Sequence, residues 1–560
     1  MPGRWYQEAV IYCLDVETFQ DSNGDGCGDF AGLTSRLDYL ERLGVTCLWL
    51  HPIHPSPNRD DGYDVADFYN VDPRLGTLGD FVEFVHQAGA RGLRVMIDLV
   101  VNHTSDEHPW FQSARSSPDS PFRDWYVWSK EEPENLTQGV VFPGVQERTW
   151  TYDDQAGAWY FHRFYEFMPD LNAANPRVRE EVKKIAAFWV QLGVAGFRMD
   201  AAPFVIELTE PNVDVPPKDF DYLRELRDII SWRRGDATVL AEANAEPDEL
   251  VEYFGGRGVD GTQAGDRLPM LFNFLLNQKA FLALARGEAA PVIEGIEATP
   301  DIPVTCQWST FMRNHDEVDL GRLTDEERQE VFSQFGPEEN MQLYGRGIRR
   351  RLAPMLGNDR RRLEMAYALQ FTLPGTPVLR YGEEIGMGDD LSLEERNAIR
   401  TPMQWSDGPN AGFSTAPPEQ LIRPVIDDGE YGYSALNVTA QRRDAHSLLS
   451  WMERALHTLR ECPEFALGRC EVLDPGVPSV VALRREGPAG AMLALTNLGD
   501  EAVTVDLSGV EAGPQPPEET FADGDYGDPH PDLGKLRLEG YGYRWIRLGR
   551  DLDGPMLTTD

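Results

Sequence analysis

Asp200, Glu242 and Asp316 each close a short, largely apolar run, GFRMD, TVLAE and STFMRNHD. At the ends of similar runs stand Asn102, His103, Arg198 and His315. Taken singly, such residues have plain readings. An Asp after a strand caps a helix or forms a turn, and a lone His is a satisfied structural residue. Taken together they are three carboxylates, two imidazoles, one guanidinium and the Asn102 carboxamide. Facing carboxylates suit cleavage of a glycosidic bond with retention. One attacks the anomeric carbon while the other protonates the leaving oxygen, through an oxocarbenium-like transition state. A buried Arg198 would hold a neighbouring carboxylate ionised and aimed. His103 and His315 would donate to sugar hydroxyls. This reading makes Asp200, Glu242 and Asp316 the catalytic residues.

These side chains lie far apart in sequence, so a scaffold must gather them. Eight apolar runs read as buried strands: 10–14, 47–53, 95–101, 196–202, 238–244, 268–274, 309–314 and 377–385. Each has five to nine residues and little alternation, as strands covered on both faces should. Amphipathic stretches lie between most of them, such as 30–44, 80–92, 177–193 and 361–373. Repeated strand–helix alternation implies a parallel sheet, and eight units fit a closed (β/α)8 TIM barrel. In such barrels the chemistry sits at the C-terminal strand ends, where the seven polar residues fall.

Two stretches interrupt the alternation. Residues 104–170 follow the third strand, are rich in aromatic residues, Pro and Asp, and read as an inserted subdomain. A charged excursion, 317–358, follows the seventh. The barrel is thus expected over 1–103 and 171–464. Beyond a helix at 447–460, short alternating segments with Gly/Pro turns predict an antiparallel β-sandwich over 465–560.

The charge balance excludes several partners. The 560 residues carry 93 acidic and 52 basic side chains, a net charge of -41. Such a surface repels a phosphate backbone and an anionic membrane, so neither nucleic acid nor membrane is expected. The N-terminus lacks a basic segment followed by an apolar core, so no secretory signal is expected. No run reaches the ~18 apolar residues of a membrane span. Six cysteines show no CxxC pair, which suits reduced thiols in a cytoplasmic protein. The sequence is compatible with a homo-oligomer. One loop invites a cation: Asp21, Asn23, Asp25 and Gly26 have the spacing that opens an EF-hand, and Asp29 follows. Gly32 stands where the twelfth-position Glu would be.

Several motifs together resemble one family. DLVVNH (98–103), GFRMDAA (196–202), LAEAN (240–244) and RNHDE (313–317) resemble the four signature regions of the α-amylase family, glycoside hydrolase family 13. MPDLN (168–172) resembles its fifth. The resemblance implies Asp200 as nucleophile, Glu242 as general acid/base and Asp316 as the third carboxylate, which binds ring hydroxyls. Arg198, His103 and His315 match supporting residues. Tyr63 matches a ring-stacking residue, and Asp64 a carboxylate that recognises the terminal glucose with Arg400 as its ion-pair partner. The 21–29 loop is similar to a calcium or magnesium loop of the family. Asn102, Asp170 and Glu207 match a second, structural calcium site. No organic cofactor is implied.

Within the family, GIRRRLAP (347–354), GTPVLRYGEEIGMGDD (375–390), IRTPMQW (399–405) and SLLSWM (447–452) most resemble trehalose synthases. That implies a small α-glucoside substrate such as maltose, isomerised to trehalose with some hydrolysis. An exo-acting α-glucosidase or trehalose hydrolase is the alternative.

Overall fold

The computed structural model describes residues 4–256, 264–487 and 490–549. Eight parallel strands close into a barrel. They are β1 (Ile11–Leu14), β2 (Cys47–Leu50), β3 (Arg94–Leu99), β4 (Gly196–Met199), β5 (Thr238–Ala241), β6 (Met270–Phe272), β7 (Gln307–Phe311) and β8 (Thr376–Arg380). Each falls within or overlaps one of the eight expected runs, and β8 pairs with β1 to shut the cylinder. The two faces of each strand build different cores. Ile11 and Cys13, Cys47 and Trp49, Met96, Leu240, Phe272 and Phe311 fill the barrel interior. Their neighbours Tyr12 and Leu14, Leu48 and Leu50, and Ile97 and Leu99 pack outward under the helices. Both faces are dry, which is why these runs show little polar alternation.

Helices Leu78–Ala90, Pro176–Gln191 and Arg360–Thr372 lie where the sequence places them. The expected 30–44 helix is two, Phe30–Ser35 and Leu37–Leu43, broken at Arg36. Within the insertion after β3, Trp128–Ser129, Trp150–Asp153 and Ala158–Phe161 form a small antiparallel sheet. Within the excursion after β7, Val318–Asp319, Gln342–Leu343 and Gly347–Ile348 form another.

The C-terminal region holds a five-stranded antiparallel sheet and a separate two-stranded one, around a core of its own. Arg485 of that region is buried and donates to the carbonyls of Thr372 (2.9 Å) and Gly468 (3.1 Å). Among the described residues no helix is long and apolar enough to cross a membrane.

Candidate active site

Alternation along each strand decides which polar residue enters the barrel mouth. In β4, Phe197 and Met199 face the helices, so Gly196 and Arg198 face inward and Asp200 continues their side. Gly196 is required by close approach: a Cβ there would lie 2.6 Å from the Thr238 carbonyl of β5. The parallel ladder runs on past the strands. The Asp200 amide donates to Leu99 O (3.3 Å) and the Glu242 amide to Met199 O (3.0 Å). That fixes the two carboxylates on adjacent strand ends. Ala201 between them has a left-handed backbone, φ 48°, a strained conformation of the kind found at functional sites.

All three expected carboxylates line one cavity of about 860 Å³ at the barrel mouth. Tyr63, His103 and His315 line it as well. Arg198, fully buried, ties one side together. Its guanidinium donates to Asp200 (2.6 Å), to Asp98 (3.2 Å) and to Glu242. Partial burial of Glu242 in the cavity, with Asp200 and Asp316 nearby, pushes its pKa up to about 7 against the pull of Arg198. Near neutrality Glu242 can therefore carry a proton and give it away.

Asp316 has the opposite surroundings. Enclosure would raise its pKa, but Arg396 (2.9 Å) and Arg400 (3.2 Å) outweigh that and hold it below the usual carboxylate range. His315 Nε2 lies 3.1 Å from Asp316 and 2.7 Å from the Tyr63 hydroxyl. Its ring stacks on Tyr63 at 5.7 Å. Burial, with Arg198 and Arg400 nearby, keeps His315 neutral, so it can both donate and accept. His103 is also neutral by burial and bonds the Tyr63 carbonyl at 3.1 Å.

One expected pair does not form. Asp64 is fully buried outside the cavity lining and accepts from Ser56 Oγ at 2.7 Å, with Arg59 at 3.5 Å. Arg400 pairs instead with Asp61, which Arg423 also holds. The turn Asp60–Asp61–Gly62 decides this. Gly62 has φ 89° and Asp61 φ 46°, which sends Asp60 and Asp61 toward the arginines while Asp64 turns back under the loop. The two arginines hold Asp61 at about 2 despite its burial. Asp60 pairs with Arg396 at 3.0 Å and lines the cavity.

The sequence reading missed Asp60, Asp61, Asp98 and Arg396. Asp98 was the most legible: a carboxylate inside the apolar run VMIDLVV needs partners if buried. It has Arg198, the Tyr63 hydroxyl (3.1 Å) and Trp49 Nε1 (3.4 Å), and burial still lifts it to about 7. Arg396 left no comparable signal, since its role comes from a 3-10 turn, Glu395–Ile399.

The oxygens considered for cations are engaged with protein donors. Asp21 accepts the amides of Asn23 (2.9 Å), Gly24 (2.7 Å) and Gly26 (2.8 Å), and the Ser414 hydroxyl. Asn23 bonds Asp25 at 3.0 Å. Asp29 accepts from Ser22 and caps the helix at Phe30 through Gly32 N (2.7 Å). Asn102 donates to Asp170 at 3.0 Å, and Arg163 N donates to the other Asp170 oxygen at 2.8 Å. Glu207 pairs with the Arg163 guanidinium rather than with Asp170. Among the described residues no group of three or more His, Cys, Asp or Glu side chains is placed to hold a metal.

The model of the α-amylase catalytic domain matches residues 15–335 and 348–466, leaving out 336–347. The chain belongs to the α-amylase family. The trehalose synthase of Pimelobacter sp. is 42% identical over 97% of this chain and 96% of its own. The trehalose synthase/amylase of Mycobacterium tuberculosis is 41% identical over 97% and 90%. Among solved structures, an α-amylase from H. orenii superposes with a TM-score of 0.76 at 28% identity, over 97% of this chain and 99% of that one. A trehalulose synthase superposes with a TM-score of 0.77 at 25% identity, over 97% and 100%. This family member is an enzyme acting on α-glucosides.

Proposed function

We propose that this enzyme isomerises maltose to trehalose by intramolecular glucosyl transfer, with some hydrolysis. The observation that carries the reading is one cavity holding Asp200, Glu242 and Asp316, in a chain 42% identical to a trehalose synthase along nearly its whole length. Asp200, held by Arg198, attacks the anomeric carbon of the non-reducing glucose. Glu242 gives its proton to the bridging oxygen as that bond breaks. A covalent glucosyl-enzyme and free glucose remain. The released glucose turns in the cavity and presents its anomeric hydroxyl. Glu242, now a carboxylate, takes that proton, the new oxygen–carbon bond forms, and Asp200 leaves. Asp316, with His315 and Tyr63 beside it, holds ring hydroxyls, and their grip tightens as the ring flattens. The Asp61–Arg400 and Asp60–Arg396 pairs wall the cavity behind that glucose, which favours small saccharides over mid-chain attack.

Incubation with maltose, followed by chromatography, tests the reading. Trehalose as a main product supports it. Glucose alone overturns it in favour of hydrolysis by an α-glucosidase.

A structural calcium or magnesium ion remains a proposal. What supports it is the density of oxygen side chains at 21–29 and the deep burial of Asp170 beside Asn102. A cation at Asn102 and Asp170 would compete with Arg163 for Glu207. Chelation that lowers Tm by several degrees, restored by added calcium, supports the ion, and an unchanged Tm overturns it. A cytoplasmic location also fits six free cysteines.

A further inference from the structure

His51 is a buried titratable group that the proposed reaction leaves unused. It follows β2, and its amide donates to Leu14 O at 3.0 Å, which extends the ladder by one residue. Trp49 faces the barrel interior, so alternation sends His51 to the same inward side. Its exposure is 4% and it does not line the cavity. The ring lies 4.3 Å from that of His315, tilted by 47°, and Trp49 packs on both at 5.5 Å. His51 thus stands directly behind His315.

The hydrogen bonds around His315 leave one nitrogen to account for. Tyr63 donates its own proton to Asp98 at 3.1 Å. Its oxygen is then the acceptor in the 2.7 Å contact with His315, so Nε2 carries the single hydrogen of the neutral ring. Asp316, 3.1 Å from the same Nε2, is a second acceptor. His315 Nδ1 must therefore accept. It is buried and meets no donor among the described residues. His51 is neutral too, kept so by burial with His315, Arg380 and Arg400 nearby. Its Nε2 is buried and equally without a partner among the described residues. A neutral imidazole can carry its hydrogen there. A leftover donor and a leftover acceptor on two touching rings are complementary, and a small turn of either ring joins them. Hydrogen bonds in active sites tighten in this way when substrate arrives.

We infer that His51 is a positioning residue: its Nε2–H donates to His315 Nδ1, which locks the His315 hydrogen onto Nε2 and aims it at Asp316 and the sugar hydroxyl that Asp316 grips. The inference rests on the proposed glucosyl-enzyme reaction and assigns the part of His315 in it. The hydrogen bond made by one imidazole nitrogen decides which nitrogen is protonated. Without the donor, the hydrogen is free to move to Nδ1, and Nε2 then faces the Asp316 carboxylate with a lone pair. The two repel, and the grip on the ring loosens as charge develops on it.

The test pairs H51M with H51Q. Both side chains are close to histidine in volume, and only glutamine keeps a donor near the place of Nε2. Maltose consumption is followed as trehalose plus glucose. H51M should lower kcat about tenfold with KM within about twofold, because the bond matters most in the transition state. H51Q should keep kcat within about threefold of the parent. Equal losses in both variants, or no loss in H51M, overturn the inference. A double-mutant cycle fixes the route. In an H315A background H51M should cost less than about twofold, whereas a cost of about tenfold there would show that His51 acts elsewhere. Nitrogen-15 histidine spectra, assigned by the signals lost in H315A, report the tautomer directly. His315 should be protonated at Nε2 in the parent and in H51Q, and at both nitrogens in exchange in H51M. One tautomer in all three overturns the inference. Where H51M does not fold, H51L replaces it. Parent enzyme that leaves maltose untouched refutes the proposed reaction alone, and the spectra then still decide whether His51 sets the tautomer.

Discussion

Two walls of one cavity hold carboxylates in opposite ways. On the β3–β5 wall a single guanidinium, Arg198, serves three acids, Asp98, Asp200 and Glu242. On the facing wall, Arg396, Arg400 and Arg423 serve Asp60, Asp61 and Asp316. On the first wall burial outweighs the single Arg198 and lifts Glu242 and Asp98 to about 7. With ample positive charge, the second keeps Asp61 and Asp316 ionised. Burial pushes Glu242, Asp98, Asp60, Asp61 and Asp316 upward alike. Only Asp61 and Asp316, each held by two arginines, are pulled back below the usual range, whereas Asp60, paired with Arg396 alone, is lifted to about 6.

The comparison breaks most sharply at the nucleophile. Asp200→Asn keeps the size and removes the attacking charge, so kcat should fall on the order of 10⁴-fold. Full activity would dismiss the first wall as the seat of covalent chemistry.

Glu242→Gln comes next. Parent kcat/KM should decline as pH rises above about 7, where Glu242 loses the proton it must donate. The variant should be about 10²–10⁴-fold slower on maltose and show no such limb. It should recover most on an α-glucoside whose leaving group needs no proton. A basic limb that survives the substitution assigns the titration elsewhere.

On the second wall, Asp61→Asn strips Arg400 of a partner. The expected cost is a ten- to hundredfold drop in kcat/KM, mostly in KM, of the order seen when a charge-assisted bond loses one side. Asp64→Asn should lower Tm while kcat/KM moves less than about threefold, because Asp64 bonds only its own loop. The reverse ranking would restore Asp64 to the cavity.

The smallest effect is in stability. Between its ordinary pKa and about 7, folded Glu242 keeps a proton that the unfolded chain has released. The folded state then binds more protons, so this group's contribution to stability falls as pH rises through that window. Asp61 runs the other way: stability present above its ordinary pKa is lost as pH falls toward about 2. Glu242→Gln should therefore raise Tm on the order of 1–3 °C at pH 8 and leave it unchanged near pH 4. Equal shifts at both pH values would show that the proton on Glu242 is not the cause.

Much of this was legible in the residues themselves. Eight apolar runs named the barrel because strands dry on both faces leave that mark. Polar residues at their ends, Asp200, Glu242, His315 and Asp316, named the rim because alternation carries the inward side past the last ladder bond. The Asp64–Arg400 pairing was misread for a physical reason. Three acids crowd residues 60–64, and the backbone of Asp61 and Gly62 decides which of them faces the arginines.

The sequence by itself determined the strand order of the scaffold and the kind of chemistry at its mouth, since both depend on local pattern and residue type. Only the tertiary structure decided which carboxylate meets which arginine, and hence which one holds a proton. It also decided that His51 and His315, from the ends of β2 and β7, meet at all. Electrostatic partners and contacts between strand ends depend on distance in space, and chain spacing does not encode that distance.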